Sequence, residues 1–151
     1  MYKRQVGKYA NSNPPPIKKN ITVDAIVNAS SDRKNGWKAG IQVKLPKGIW
    51  EIKPVSGGWS AWSFNSDSPN GKAWTWNVSI KRPFIEQSFS FGPKDWWQFK
   101  SAEEAFNYVQ MNLDRYTFNM PQPDTVFFWI RDGGGASNNR GYVTIEISRK
   151  E

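Results

Sequence analysis

The sequence predicts an all-β fold, a two-sheet antiparallel sandwich of jelly-roll type with one short inserted helix. Three observations predict it. Aromatics make up 15% of the 151 residues, with nine Trp and nine Phe, whereas Leu occurs only as Leu45 and Leu113. Aromatic and β-branched residues suit a pleated, half-buried surface, while helical domains draw on Leu and Ala. Several segments alternate apolar and polar residues with period two, as a strand with one buried face requires. Finally, turns rich in Gly, Pro and Asn separate some seven or eight such short segments, the pattern of a sandwich or jelly roll.

Residues 1–20 read as a basic arm. Asn11-Ser12-Asn13-Pro14-Pro15-Pro16 cannot sustain a helix or a central strand, because proline lacks the N–H and fixes φ. The domain then runs over 21–151. Ile21–Ala29 is rich in β-branched residues and reads as a strand. After a polar loop, Trp37, Ala39, Ile41, Val43 and Leu45 alternate with polar neighbours, and Ile49–Val55 returns beyond Pro46-Lys47-Gly48. A loop over 57–73 leads to a second alternation of Trp74, Trp76, Val78 and Ile80. Trp37, Trp74 and Trp76 are assigned to the core on this pattern. Phe84–Phe91 is a weaker strand.

One helix is expected, as an insertion over about 101–113. Ser101 followed three residues later by Glu104 is a capping-box pattern, and Ala102, Ala105, Phe106, Val109 and Leu113 fall at helical spacing. Strands resume at Tyr116–Met120 and Val126–Ile130, the latter an unbroken apolar run suited to a central strand covered on both faces. Val143, Ile145 and Ile147 alternate in the last strand.

Composition removes several functions. The chain has no Cys and no His, so thiolate nucleophiles, thiolate zinc sites, Ser-His triads and imidazole bases are absent. The adjacent pair Glu103-Glu104 lies about 100° apart around a helix, and the cap accounts for Glu104, so no enzyme is expected. The formal net charge is +8. Five of the positives (Lys3, Arg4, Lys8, Lys18, Lys19) fall in the first 20 residues, which hold no acid, leaving +3 for the rest. The basic character thus belongs mainly to the arm, which makes a nucleic-acid partner unlikely despite the aromatics.

The segment richest in chemistry is Asp132-Gly133-Gly134-Gly135-Ala136-Ser137-Asn138-Asn139-Arg140-Gly141. Its glycines free the backbone to turn sharply, and Asp132, Asn138 and Asn139 offer oxygens of the kind that calcium takes in sets of six to eight. Gly, Asn and Asp also build ordinary hairpin loops; local composition leaves both readings open.

With Ile26-Val27-Asn28-Ala29, Lys47-Gly48, the run Gly58-Trp59-Ser60-Ala61-Trp62, and Asn138-Asn139-Arg140-Gly141 before the final strand, the chain resembles the calcium-dependent galactophilic bacterial lectins, small galactose-binding-like β-sandwiches. The likeness spans about Ala25 to Ile147. It implies a carbohydrate-binding module in which calcium bridges vicinal sugar hydroxyls. Asp132 would be the carboxylate ligand, Asn138 and Asn139 would add side-chain oxygens, and a carbonyl of Gly135 or Ala136 and that of Trp62 would join them. Sugar contacts would come from Trp59, Trp62 and Asp67 together with Asp132, Asn138 and Asn139; Trp97 is a further stacking candidate. The family's pocket histidine has no counterpart here, so the calcium cage transfers better than the preference for galactose.

The expected partner is therefore a glycan. Other subunits of a larger assembly such as a virion or secretion particle, and a second copy of the chain, are further candidates. A structural or attachment role and single-strand nucleic-acid binding are the alternative functions. No apolar run approaches 18 residues and the N-terminal stretch lacks an apolar signal core. A soluble protein without membrane insertion is expected, cytoplasmic or reaching the exterior without a cleaved signal.

Overall fold

The computed structural model describes residues 17–94, 96–113, 115–133 and 136–150. Most of the expected arm lies outside these. Its last residues do not: the first strand, β1, is Lys18–Asp24, and it pairs antiparallel with the last strand, β10 (Arg140–Arg149). The ordered strand thus starts three residues before Ile21, with the Arg149 N–H bonded to the Ile17 carbonyl at 3.0 Å.

Two five-stranded sheets face each other across an apolar core. The first runs β1-β10-β4-β5, with β4 as Gly48–Ser60 and β5 as Trp74–Thr75; β8 (Tyr116–Met120) also pairs with β4. The second runs β2-β9-β6-β7, with β2 Ala29–Ser30, β9 Asp124–Arg131, β6 Val78–Arg82 and β7 Gln87–Phe91; β3 (Ile41–Leu45) also pairs with β9. The β-sandwich is as expected, with one departure: β2 pairs parallel to β9. Inward residues of both sheets, among them Val23, Trp50, Ile52, Ile80, Phe128, Ile130 and Ile145, are fully buried. β9 is the central strand of its sheet, flanked by β3 and β6.

Several strands differ in extent from what the sequence pattern suggests. Phe84–Phe91 is strand only over Gln87–Phe91, because Pro83–Ile85 forms a 3-10 turn, and the alternation from Trp74 to Ile80 is split between β5 and β6. Ile21–Ala29 is not continuous, because the Asp24 carboxylate accepts the N–H groups of Ile26 and Val27 at 2.7 and 2.9 Å and folds the chain into a turn. The alternation begun at Trp37 becomes strand only at Ile41, since Gly36–Ala39 forms a 3-10 turn. Trp37 is consequently not core: it is half-buried, edge-on to Phe127 at 4.7 Å. Trp74 is also half-buried, and only Trp76 of the three is enclosed. β4 continues through Ser60, beyond the predicted end at Val55.

That extension seats the helix. Gly58 has φ +154°, and a Cβ there would lie 2.9 Å from Cα and Cβ of Ala102, the first residue of α1 (Ala102–Asn112). The absent side chain lets the helix approach the sheet. Ser101 caps α1 by accepting the Glu104 N–H at 3.1 Å, while Glu104 reaches back to the Lys100 N–H at 3.5 Å rather than to that of the cap itself. Ala105 and Val109 are buried, with Phe106 and Leu113 packed at the core margin.

Candidate functional site

The ends of β4, β9 and β10 meet at one edge of the sandwich, and the segment before α1 folds over them. Asp132 directly follows β9 and is held by its N–H to the Ser30 carbonyl at 3.1 Å. It is 4% exposed, an unusual setting for a carboxylate. Asn139, directly before β10, donates its side-chain amide to the Ala25 carbonyl at 2.7 Å and its backbone N–H to the Ala136 carbonyl at 3.0 Å. The Asn139 Oδ1 is buried with no hydrogen-bond partner among the described residues, a costly state for a polar atom unless something else fills it.

Beside Asp132 lies a cleft of about 410 Å³ lined by Ala61, Trp62, Trp96, Trp97, Asp132, Gly133 and Asn138. Its apolar wall is a tryptophan cluster. Trp97 meets Trp59 and Trp62 edge-on, each at 4.8 Å, and Trp96 at 5.8 Å. Edge-to-face pairs of this kind are favoured by the ring quadrupole. Trp62, Trp96 and Trp97 are half-buried, leaving part of each indole toward solvent. Trp97 holds φ +60°, a left-handed conformation that costs a bulky residue energy and that its surroundings must enforce. The polar part of the lining is Asp132 and the exposed Asn138.

The loop carrying Trp62 is clamped from behind. Arg140 donates Nε to the Trp62 carbonyl at 2.7 Å and Nη2 to Asn65 Oδ1 at 2.7 Å, and its guanidinium sits 4.7 Å from the Trp74 ring centre. Asn65 also accepts Trp74 Nε1 at 3.2 Å and donates to the Lys100 carbonyl at 2.9 Å, tying this loop to the start of α1.

Several expected site residues are thus brought together and others are not. Asp132, Asn138 and Trp62 share the cleft. Asn139 and Ala136 lie in the adjoining loop, and Gly135 is outside the described residues. Trp59 is not available for stacking, since it is fully buried on β4 beneath Trp96 and Trp97. Asp67 is exposed in the 3-10 turn Asn65–Asp67 and does not line the cleft. The Trp62 carbonyl is a poor metal ligand: it already accepts the Arg140 guanidinium and the Ser60 hydroxyl, and a cation placed there would face a guanidinium. Sequence reading missed Trp96 as a wall and Arg140 as a clamp. Trp96-Trp97 falls in a stretch with no periodicity, so only the doubled tryptophan between loop residues could have signalled it.

Among the described residues no group of three or more His, Cys, Asp or Glu could hold a metal ion. A cation would therefore depend on one carboxylate plus neutral oxygens. Those on hand are Asp132, the Asn138 side chain, the orphaned Asn139 Oδ1 and the Ala136 carbonyl, all of them hard oxygen donors of the type calcium accepts. Among the described residues no helix is long and apolar enough to cross a membrane.

No family model matches this sequence, and no curated protein matches it. Among solved structures, the chain is similar to the N-terminal domain of EclA, described as a PllA-like lectin. The TM-score is 0.46 at 14% identity, covering 87% of this chain and 95% of that one.

Proposed function

We propose that the tryptophan-walled cleft binds carbohydrate and that this chain is a lectin-like binding module. The observation that carries the reading is the convergence of partly exposed Trp62, Trp96 and Trp97 with Asp132 and Asn138 on one cleft of about 410 Å³. A pyranose has an apolar C–H face and a rim of hydroxyls. Indole faces suit the first, and a carboxylate and an amide suit the second. Binding sites commonly combine such an apolar lining with a few placed polar groups.

Calcium belongs to this proposal. The residues that would hold it are Asp132, Asn138, Asn139 through Oδ1, and Ala136 through its carbonyl; Trp62 is left out because Arg140 holds its carbonyl. When bound, the ion would supply a Lewis-acidic centre for two adjacent sugar hydroxyls. The chain's own part is to fix Asp132 at the rigid end of β9 and to hold the indoles in place. With a single carboxylate the metal affinity is modest, with a dissociation constant of about 10⁻⁴–10⁻³ M. Galactose is not expected to be the best ligand, since the chain has no His.

A glycan array probed in calcium and in chelator tests the reading. Calcium-dependent binding to a defined set of sugars supports it. Binding to no glycan in either buffer, by folded protein, defeats it.

A further inference from the structure

The second sheet carries a different kind of cavity on its outer face. Ser79 of β6 pairs across to Ser90 on one side and Trp129 on the other. These three form one row pointing away from the core, because the neighbouring Ile80 is fully buried. A cavity of about 210 Å³ opens over this row, lined among others by Arg33, Ser79, Ser88, Ser90, Trp129 and Arg131. It shares no lining residue with the tryptophan cleft.

The chemistry of the lining is one-sided. Among the described residues it holds two guanidinium groups, three hydroxyls, an indole and the phenyl-bearing Phe89, and no carboxylate. Neither arginine forms an ion pair among the described residues. The carboxylate beside Arg33, that of Asp32, is engaged by the N–H groups of Lys34 and Asn35 at 2.9 and 3.1 Å. Trp129 is only 5% exposed, yet its Nε1 has no hydrogen-bond acceptor among the described residues. An indole N–H can only donate, so burying it unmatched is unfavourable unless an acceptor enters. Lys81, one row further along β6, adds positive charge on the same face.

We propose that this cavity binds a tetrahedral oxyanion, the sulfate or phosphate end group of an esterified ligand. Such a group offers several acceptor oxygens and no donors. It would take forked N–H bonds from Arg33 and Arg131, hydroxyl bonds from the serines, and the Trp129 N–H. Guanidinium groups bind such anions well because their planar N–H forks match two oxygens at once. The cavity is smaller than the roughly 300 Å³ and upward of sites that enclose whole small molecules. It therefore suits an end group better than a ring.

The test uses the full chain and reads the Trp129 indole N–H by proton–nitrogen NMR, assigned with Trp129→Phe. Inorganic sulfate and phosphate are titrated against chloride at equal ionic strength, followed by glucose 6-sulfate and glucose 6-phosphate. A saturable shift with the oxyanions and none with chloride is expected, and the tighter ester identifies the source. Arg33→Gln with Arg131→Gln should weaken binding about tenfold or more, with the rest of the spectrum unchanged. Arg131→Gln alone, with a smaller loss, serves if the double variant is unstable. A chloride shift equal to the sulfate shift, or one that survives both substitutions, would overturn the site. Tighter displacement by a single-stranded oligonucleotide than by either ester would also overturn the end-group assignment, in favour of a phosphodiester chain on the basic face.

Discussion

The Arg140 guanidinium donates to the backbone carbonyl of Trp62 at 2.7 Å, so the first residue of the last strand fixes an aromatic wall of the cleft. The same group reaches Asn65 and stacks over Trp74. Stability and binding should therefore fall together in Arg140→Ala. Two charge-assisted hydrogen bonds and a cation–π contact are lost, and the expected cost is about 2 kcal/mol. Urea denaturation measures it. Arg140→Lys, which keeps the charge but not the fork, should recover only part of that loss. A variant as stable as the parent would mean the clamp contributes nothing.

Gly141, next in the chain, is required for a backbone reason. Its φ is +93°, and a Cβ would meet the Gly58 carbonyl oxygen at 2.3 Å, in the strand paired with it. Gly141→Ala should destabilise by about 2 kcal/mol or more, through left-handed strain and a contact with backbone that cannot move aside. Thermal melting with and without the substitution checks this; a change under about one degree would contradict it.

Much of this fold was legible in local pattern. The apolar run Val126–Ile130 gave a central strand, Val143–Ile147 an alternating one, and Ser101 with Glu104 the start of α1. Period two could not say which tryptophans face inward. Trp37 sits in a 3-10 turn that breaks the alternation, and Trp59 is buried by residues some 37 positions downstream, Trp96 and Trp97. Of the cleft's lining, Asp132 and Asn138 were legible because loop composition marks them. The cleft's aromatic wall and its Arg140 clamp depend on contacts between distant segments, which no local pattern encodes.

Asp32 gives a pH prediction. Its carboxylate accepts the N–H groups of Asn35 and Lys34, and these bonds, opposed by some desolvation and aided by Lys34 and Lys38, hold its pKa below the ordinary 3.8. A folded-state pKa below the unfolded one stabilises the fold above the unfolded value and is lost as pH falls through the folded one. Carbon NMR should show Asp32 titrating below 3.8, and Asp32→Asn should flatten the stability profile only in that acid range. A titration above 3.8 would contradict the turn.

The proposed calcium dependence turns on Asp132. If the ion is held there, millimolar calcium raises the melting temperature and a chelator lowers it, by mass action on the native state. Asp132→Ala should abolish that shift and leave a folded chain. Asn139→Ala should weaken it, although part of that effect will come from the lost bond to Ala25. Equal melting in calcium and chelator would remove the metal from the account while leaving the aromatic cleft.

The most direct measurement is calorimetric titration of the best glycan from an array into the parent chain and Trp62→Ala, both in calcium. Saturable binding to the parent is expected, with a loss of about tenfold or more in Trp62→Ala, the cost of removing one aromatic wall, and with circular dichroism unchanged. Equal affinity in the two proteins would contradict the assignment of the cleft as the carbohydrate site.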